Sequence, residues 1–329
     1  MGPVKAAILG TGSYLPEKIL TNADLTKIVD TSDEWITTRT GIKERHVAAE
    51  NQTTSDLAVE AARRALDASG LKPADLDLIL VATISPDTPT PSTACYVQAK
   101  LGAPQSAAFD LSAACSGFVY GLSVAKAFVE SDQAKYVLVV GAEKLTAFVD
   151  WSDRATCVLF GDGAGAAVVG PCLNGRGEIL SVHLSADGTQ AELLRIPGGG
   201  SRCPTSAQSL ANKQQYLKMA GKEVYKIAVK VMTDACQNAL RRAGITLDQT
   251  ALLIPHQANL RIIEAVRDRL DLPEEKVFVN IDRVGNTSAA SVAIALDEAV
   301  RTNRLKPGDP VMLVAFGAGL TLAASVIRW

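Results

Sequence analysis

The sequence has no apolar run approaching the roughly 20 residues needed to span a bilayer. Its opening stretch, MGPVKAAILGTG, lacks the charged, apolar and small-residue succession of a secretory leader. The expectation is a cytoplasmic protein with no membrane partner. Its six cysteines, Cys95, Cys115, Cys157, Cys172, Cys203 and Cys236, form no CxxC pair and no Cys/His ligand spacing. Neither a disulfide framework nor a zinc knuckle is indicated, and no metal is expected. An excess of either charge is also missing, with 33 Lys and Arg against 35 Asp and Glu. No nucleic-acid partner is expected, and an anionic partner would have to meet a local patch. Histidine is scarce: only His46, His183 and His256 can supply imidazole chemistry.

What is present is 329 residues, 47% of them hydrophobic, enough for one large core or two fused units of about 150 residues. Helical periods alternate with short β-branched runs, which reads as an α/β fold with a helix-covered sheet. Strands are expected at Val4–Gly10, Leu78–Thr83, Ala107–Leu111, Tyr136–Gly141, Gly165–Gly170, Ile179–Leu184, Leu252–Pro255, Val311–Phe316 and Leu322–Ile327. Helices are expected at Ser55–Ser69, Ser116–Glu130, Gly221–Ala243, Asn259–Leu270 and Ser288–Arg301. The Gly/Pro/Ser-rich stretch Pro197–Ser206, with the polar run on to Lys218, reads as a mobile surface excursion.

The chain also repeats itself. ALDASGLKPADLDLILVAT (Ala65–Thr83) and ALRRAGITLDQTALLIPH (Ala239–His256) share one plan: a helix end, a glycine, a short loop with Asp, then a strand. Matching Gly70 to Gly244 sets Ile79 beside Leu253 and Ala82 beside His256. Cys115 then opens a helix leading to YVLVVGAE, as Asn286 opens one leading to VMLVAFGAG. A duplicated unit is expected, with Cys115 and Asn286 at equivalent positions about a pseudo-twofold axis.

Three residues stand out chemically. In FDLSAACSGFVYGL, Cys115 follows a strand among small neighbours and begins a helix, where free N–H groups and the helix dipole favour a thiolate. The Cys115 N–H there can also face an oxyanion. The bland reading is a buried structural cysteine. His256, in LLIPHQAN, lies just past a buried strand, where open α/β sheets gather functional groups; the alternative is a satisfied loop histidine. Asn286, in VNIDRVGNTSAAS, can donate to a carbonyl that gains charge, which a carboxylate cannot do, although Gly-Asn before Thr-Ser is also an ordinary turn.

Six motifs in order, TSDEWITTRTGIKERH (Thr31–His46), AACSGF (Ala113–Phe118), FGDGAGAAV (Phe160–Val168), PHQANLR (Pro255–Arg261), GNTSAAS (Gly285–Ser291) and AFGAGLT (Ala315–Thr321), make the chain resemble the ketoacyl synthase III branch of the thiolase superfamily along nearly its whole length. The resemblance implies a duplicated αβαβα five-layered fold, halves at residues 1–175 and 176–329, and a homodimer. It implies an acyltransferase that condenses an acyl-coenzyme A primer with malonyl-acyl carrier protein, without a cofactor, to begin fatty acid biosynthesis. Cys115 would carry the acyl group, His256 and Asn286 would stabilise the enolate, and the N–H groups of Cys115 and Ala318 would form the oxyanion hole. Elongating ketoacyl synthases use two histidines instead, and His46 and His183 lie outside the matched motifs. The open alternatives are a sister enzyme of secondary metabolism with another acyl acceptor, and a non-catalytic scaffold that binds acyl carrier protein.

The resemblance further assigns coenzyme A contacts to Trp35, Arg39, Arg154, Gly221 and Asn259, against the bland reading of a solvated helix. An acidic carrier protein would meet Gln257, Arg261, Lys226 and Arg269, with Arg267 nearby and Asp268 interrupting the face. Thr90, in TPTPSTAC, stands where many relatives carry a phenylalanine that shortens the partner subunit's acyl pocket, so medium or longer primers are expected. GDGAGA (Gly161–Ala166) leads into a strand rather than a helix, which argues against a dinucleotide site.

Overall fold

The computed structural model describes residues 4–329. Its principal strands are β1 (Ala6–Tyr14), β2 (Leu78–Ala82), β3 (Ala107–Leu111), β4 (Val137–Lys144), β5 (Asp162–Pro171), β6 (Glu178–Ala186), β7 (Leu252–Pro255), β8 (Pro310–Gly317) and β9 (Thr321–Arg328). The principal helices are α1 (Asp33–Thr40), α2 (Thr54–Ser69), α3 (Thr93–Leu101), α4 (Gly117–Glu130), α5 (Gly221–Ala243), α6 (Leu260–Arg269) and α7 (Ser291–Arg301). Strand β2, LILVA, is buried at every position, because helices cover both faces of the sheet and no polar alternation is required. Helices α2 and α5 both end at left-handed glycines, Gly70 (φ 71°) and Gly244 (φ 66°), the pair matched in the sequence repeat.

Among the described residues the nine strands pair in the order β7, β8, β9, β6, β1, β5, β4, β2, β3. Each half repeats one pairing plan. In the first, β1 and β4 flank β5 in antiparallel fashion and β4 pairs parallel with β2. In the second, β6 and β8 flank β9 antiparallel and β8 pairs parallel with β7. The partner of β2, strand β3, has a counterpart reduced to one parallel bridge: Ile79 faces Ala108, and its match Leu253 faces Val277. The halves join where β1 meets β6, at Ala7 and Glu178.

Three apolar clusters define the layers. Helices α2 and α3 pack outside the first half, and α5 and α6 outside the second. Between the halves, α4 and α7 contribute Phe118, Leu122, Val292 and Leu296 to one shared core. The result is the duplicated αβαβα arrangement, with the middle helices beginning near one another.

One detail of the repeat differs from the sequence alignment. Each middle helix is preceded by a single 3-10 turn whose first residue is forced to positive φ: Ala114 at 47° and Ser288 at 46°. These strained turns fix the register, because a non-glycine in that conformation is rare. They set Cys115 opposite Ala289, and Asn286 lies two residues before its turn. Cys115 and Asn286 therefore occupy one region of the repeat without being equivalent positions.

The glycine-rich excursion is anchored rather than loose. Gly198 N–H donates to Gln214 O at 2.7 Å and Leu217 N–H to Phe148 O at 2.9 Å. The two-residue strands Leu194–Arg195 and Lys218–Met219 close its base. GDGAGA does run into a strand, β5, as its sequence setting indicates.

Candidate active site

The turn that carries Cys115 is clamped by the far end of the sheet. Thr321 Oγ1 donates to Ala113 O at 2.8 Å. A Cβ built on Gly317 would stand 2.6 Å from the Cys115 nitrogen, so only glycine lets the end of β8 run against this backbone. Cys115 is 8% exposed, and its thiol is pushed up to about 12, chiefly by burial. This reverses the expectation of a lowered thiol pKa. A helix N-terminus contributes up to about 2 kcal/mol, or roughly 1.5 pKa units, too little to offset desolvation on this scale. Cys115 rests as a thiol.

His256 follows β7 and is held by its own backbone: its N–H donates to Val314 O at 2.7 Å. Burial drives its imidazole down to about 3, so the ring is neutral throughout the physiological range. Its Nδ1 is buried without a partner among the described residues. A buried unpaired lone pair costs less than a buried unpaired N–H, so the proton belongs on Nε2. Asn286 is fixed from both sides of its peptide, with N–H to Leu159 O at 2.9 Å and its carbonyl accepting from Gly161 N–H at 3.0 Å. Its Oδ1 accepts the Ser288 N–H at 2.9 Å. That bond orients the amide and directs Nδ2 away as a donor.

Behind these residues lies a fully buried carboxyl that the sequence reading missed. Glu143, at the end of β4, accepts from Ser85 Oγ at 2.6 Å, Thr83 Oγ1 at 3.1 Å and Ile84 N–H at 3.1 Å. Its other oxygen faces Ala289 N–H at 3.5 Å. Burial pushes its carboxyl up to about 7, against these donors and the nearby Ser288 hydroxyl.

Cys115, His256, Asn286 and Ala318 line one cavity of about 870 Å³, together with Phe316, Leu159 and Ser288. Trp35, Arg39, Gly221 and Asn259 line it as well. The Trp35 ring is flanked by two guanidinium groups, Arg39 at 4.7 Å and Arg154 at 5.2 Å from its centroid. An aromatic plate with two cations suits a flat, phosphorylated ligand portion.

Two matched segments carry known family signatures: residues 109–188 match 3-oxoacyl-[acyl-carrier-protein] synthase III, and residues 240–329 match its C-terminal part. A beta-ketoacyl-[acyl-carrier-protein] synthase III of Caldanaerobacter subterraneus subsp. tengcongensis is 60% identical, covering 99% of this chain and 98% of the relative. One from Natranaerobius thermophilus is 54% identical, covering 98% of this chain and 99% of the relative. The crystal structure of the Aquifex aeolicus 3-oxoacyl-[acyl-carrier-protein] synthase III superposes with a TM-score of 0.92 at 50% identity, covering 98% of this chain and all of that one. The chain belongs to the 3-oxoacyl-[acyl-carrier-protein] synthase III family. It is an acyltransferase, and its reaction is the condensation that initiates fatty acid biosynthesis.

Within this synthase, several residues sit differently from their sequence assignments. Gln257 is 1% exposed. Its Nε2 donates to Pro255 O and Phe278 O, and its Oε1 accepts from Asn280 and Ile281 N–H. With its amide fully engaged inside the protein, Gln257 presents nothing to a carrier protein. Asn259 caps α6 by accepting Arg261 N–H at 2.9 Å and donates to Arg39 O at 3.0 Å, so its amide couples α1 to α6. Arg154 stands outside the cavity, donating to Asp30 O at 3.0 Å while stacking on Trp35.

Arg261 and Lys226 line the cavity mouth, with Arg261 5.5 Å from the Tyr225 ring centroid. Lys222, unassigned in the sequence, stands with them. Arg269 ends α6, about 12 Å along the axis from Arg261, and Arg267 is paired with Asp268 at 2.7 Å. The usable basic face is therefore the mouth itself. Thr90 is exposed and lies outside this chain's cavity. The cavity wall also includes Leu194, Ile196, Leu217 and Met219 from the base of the excursion, whose apolar spacing was the overlooked signal. No helix among the described residues is long and apolar enough to cross a membrane.

Proposed function

We propose that Cys115, His256 and Asn286 divide the family's reaction between them. The Cys115 sulfur attacks the thioester carbonyl of an acyl-coenzyme A primer, and its proton ends on the departing coenzyme A sulfur. The N–H groups of Cys115 and Ala318 receive the transient oxyanion. Malonyl-acyl carrier protein then enters and its carboxylate leaves as carbon dioxide. The electron pair becomes an enolate whose oxygen accepts from His256 Nε2–H and Asn286 Nδ2. The enolate carbon attacks the Cys115 thioester. The β-ketoacyl product forms on the carrier, and the released Cys115 thiolate takes one proton from solvent.

The observation that carries this reading is that all three residues, from three distant segments, line one cavity whose mouth holds Trp35 and Arg39. We assign coenzyme A to Trp35, Arg39 and Arg154, with Gly221 and Asn259 in the adjoining wall, and the carrier's acidic surface to Arg261 and Lys226, with Arg269 at the periphery. The repeat supports halves at residues 1–175 and 176–329. Among the described residues strand β3 is paired on one side only, and it exposes Phe109, which supports a homodimer through that edge. Thr90, on the loop preceding α3 and near the same edge, would then reach the partner's acyl pocket and admit medium primers. Six unpaired cysteines suit a reducing, cytoplasmic setting.

Incubation with acetyl- through lauroyl-coenzyme A, followed by intact mass measurement, tests the acyl step and the pocket together. A mass gain at Cys115 that extends to medium chains, and is lost in Cys115→Ser, is expected. Labelling restricted to acetyl would exclude the primer assignment, and labelling in the Cys115→Ser variant away from residue 115 would exclude the nucleophile.

A further inference from the structure

The charged run Lys43–His46 contains a residue that the reaction does not use and that the fold has buried completely. Arg45 is 0% exposed, yet among the described residues its guanidinium meets no carboxylate. Nη1 donates to Leu20 O at 3.1 Å and Asn22 Oδ1 at 2.9 Å, and Nη2 donates to Val158 O at 2.8 Å. Its Nε has no partner. Burial lowers its pKa to about 10, so it stays cationic at neutral pH. A buried cation held only by neutral oxygens is costly, and a purely structural site could be filled by an apolar side chain of similar volume.

Its contacts lead to Asn286. Val158 O, which receives Nη2, precedes Leu159, whose carbonyl accepts the Asn286 N–H; Gly161 N–H then donates back to Asn286 O. Phe160 and Asn286 form the bridge between the two segments. The Arg45 stem fills the gap beneath both: a Cβ added to Gly161 or to Gly285 would each lie 3.0 Å from Arg45 Cβ. Arg45 lies on the short strand Glu44–Val47, and the residue before that strand is tied to the short helix Ile281–Val284 by Lys43 N–H to Asp282 O at 2.8 Å.

We propose that Arg45 is a positioning residue for Asn286, fixing the Val158–Gly161 segment on which the Asn286 peptide hangs. Ser288 N–H locks the side-chain amide to the 286–288 turn, and the Asn286 main chain is bonded to Leu159 O and Gly161 N–H, so a shift of the segment moves the turn and the Nδ2 donors with it. A displacement of about 1 Å can cost on the order of 100-fold in rate. Arginine suits the place because its planar fork spans two segments, with Nη1 on Leu20 and Asn22 and Nη2 on Val158, whereas the donors of an ammonium all radiate from one nitrogen. The proposal rests on the assignment of Asn286 to the condensation step.

The test measures both half-reactions in Arg45→Met, Arg45→Lys and Asn286→Ala: acyl transfer from acyl-coenzyme A to Cys115 by intact mass, and single-turnover condensation of the acylated protein with malonyl-acyl carrier protein. The acyl step reports folding within each variant. Arg45→Met is expected to acylate within about threefold of the parent but to condense about 100-fold more slowly, through kcat rather than KM. Arg45→Lys should fall between, and it carries the test if Arg45→Met does not fold. If Asn286→Ala fails to separate the half-reactions, the Asn286 assignment is wrong. If Asn286→Ala separates them and the Arg45 variants slow both equally, or neither, the positioning role is overturned.

Discussion

Ser85 Oγ donates to the Glu143 carboxyl at 2.6 Å, inside a pocket of the fold where neither group meets solvent. The carboxyl joins the two halves, receiving the Thr83–Ser85 segment of the first and facing Ala289 of the second. Burial raises it from the ordinary 4.5 to about 7. Folded Glu143 thus keeps a proton that the unfolded chain has released, and stability falls as pH rises from about 4.5 to about 7, by on the order of 3 kcal/mol. In Glu143→Gln that decline should disappear. Chemical denaturation across pH 4.5 to 8 measures it, and an unchanged slope would show that Glu143 is ionised throughout.

His256 acts with the opposite sign. Its folded pKa, driven down to about 3, lies below the unfolded value. Its contribution is therefore full above about 6.5 and is lost as pH falls toward 3. Imidazole carbon resonances followed by nuclear magnetic resonance should show His256 neutral, with no titration between pH 5.5 and 8. A midpoint inside that window would mean that the ring ionises in the working enzyme.

Cys115 should alkylate as a thiol of high pKa. Its iodoacetamide rate, read from the peptide carrying residue 115, is expected to climb from pH 6 to pH 10 without a plateau, because burial holds the thiol near 12. A plateau below pH 8 would indicate a resting thiolate.

The Trp35 plate is the clearest handle on coenzyme A. Trp35→Ala removes the surface on which Arg39 and Arg154 stack at 4.7 and 5.2 Å. The KM for acyl-coenzyme A should rise about 10-fold, in line with roughly 1–2 kcal/mol for a cation–π pair. The condensation rate of pre-acylated protein should be unaffected. Steady-state kinetics with both substrates varied distinguishes this from a general loss of activity.

Strands such as β2 and β4 were legible because covered strands read as continuous apolar runs, and helix ends because Gly70 and Gly244 mark them. The reacting residues were legible through their small neighbours and their places after strands. Residues whose roles come from contacts between distant segments were not. Glu143 looks like the polar end of a strand until Ala289, 146 positions away, closes over it. Arg45 sits in a run of charges, and only the two-residue period of the strand turns it inward between Glu44 and His46, which stay partly exposed. Gln257 reads as surface beside Arg261, yet its amide is consumed by four internal bonds. The three-residue offset between Cys115 and Asn286 was hidden because backbone strain at Ala114 and Ser288 leaves no mark in residue type.

The division of labour between Cys115 and Asn286 is tested most directly by following Asn286→Ala through both half-reactions with one acyl-coenzyme A. The Cys115 acyl adduct should form at close to the parent rate, while condensation with malonyl-acyl carrier protein falls about 100- to 1000-fold, the loss associated with one donor to a developing oxyanion. Equal loss of acylation and condensation would contradict the account.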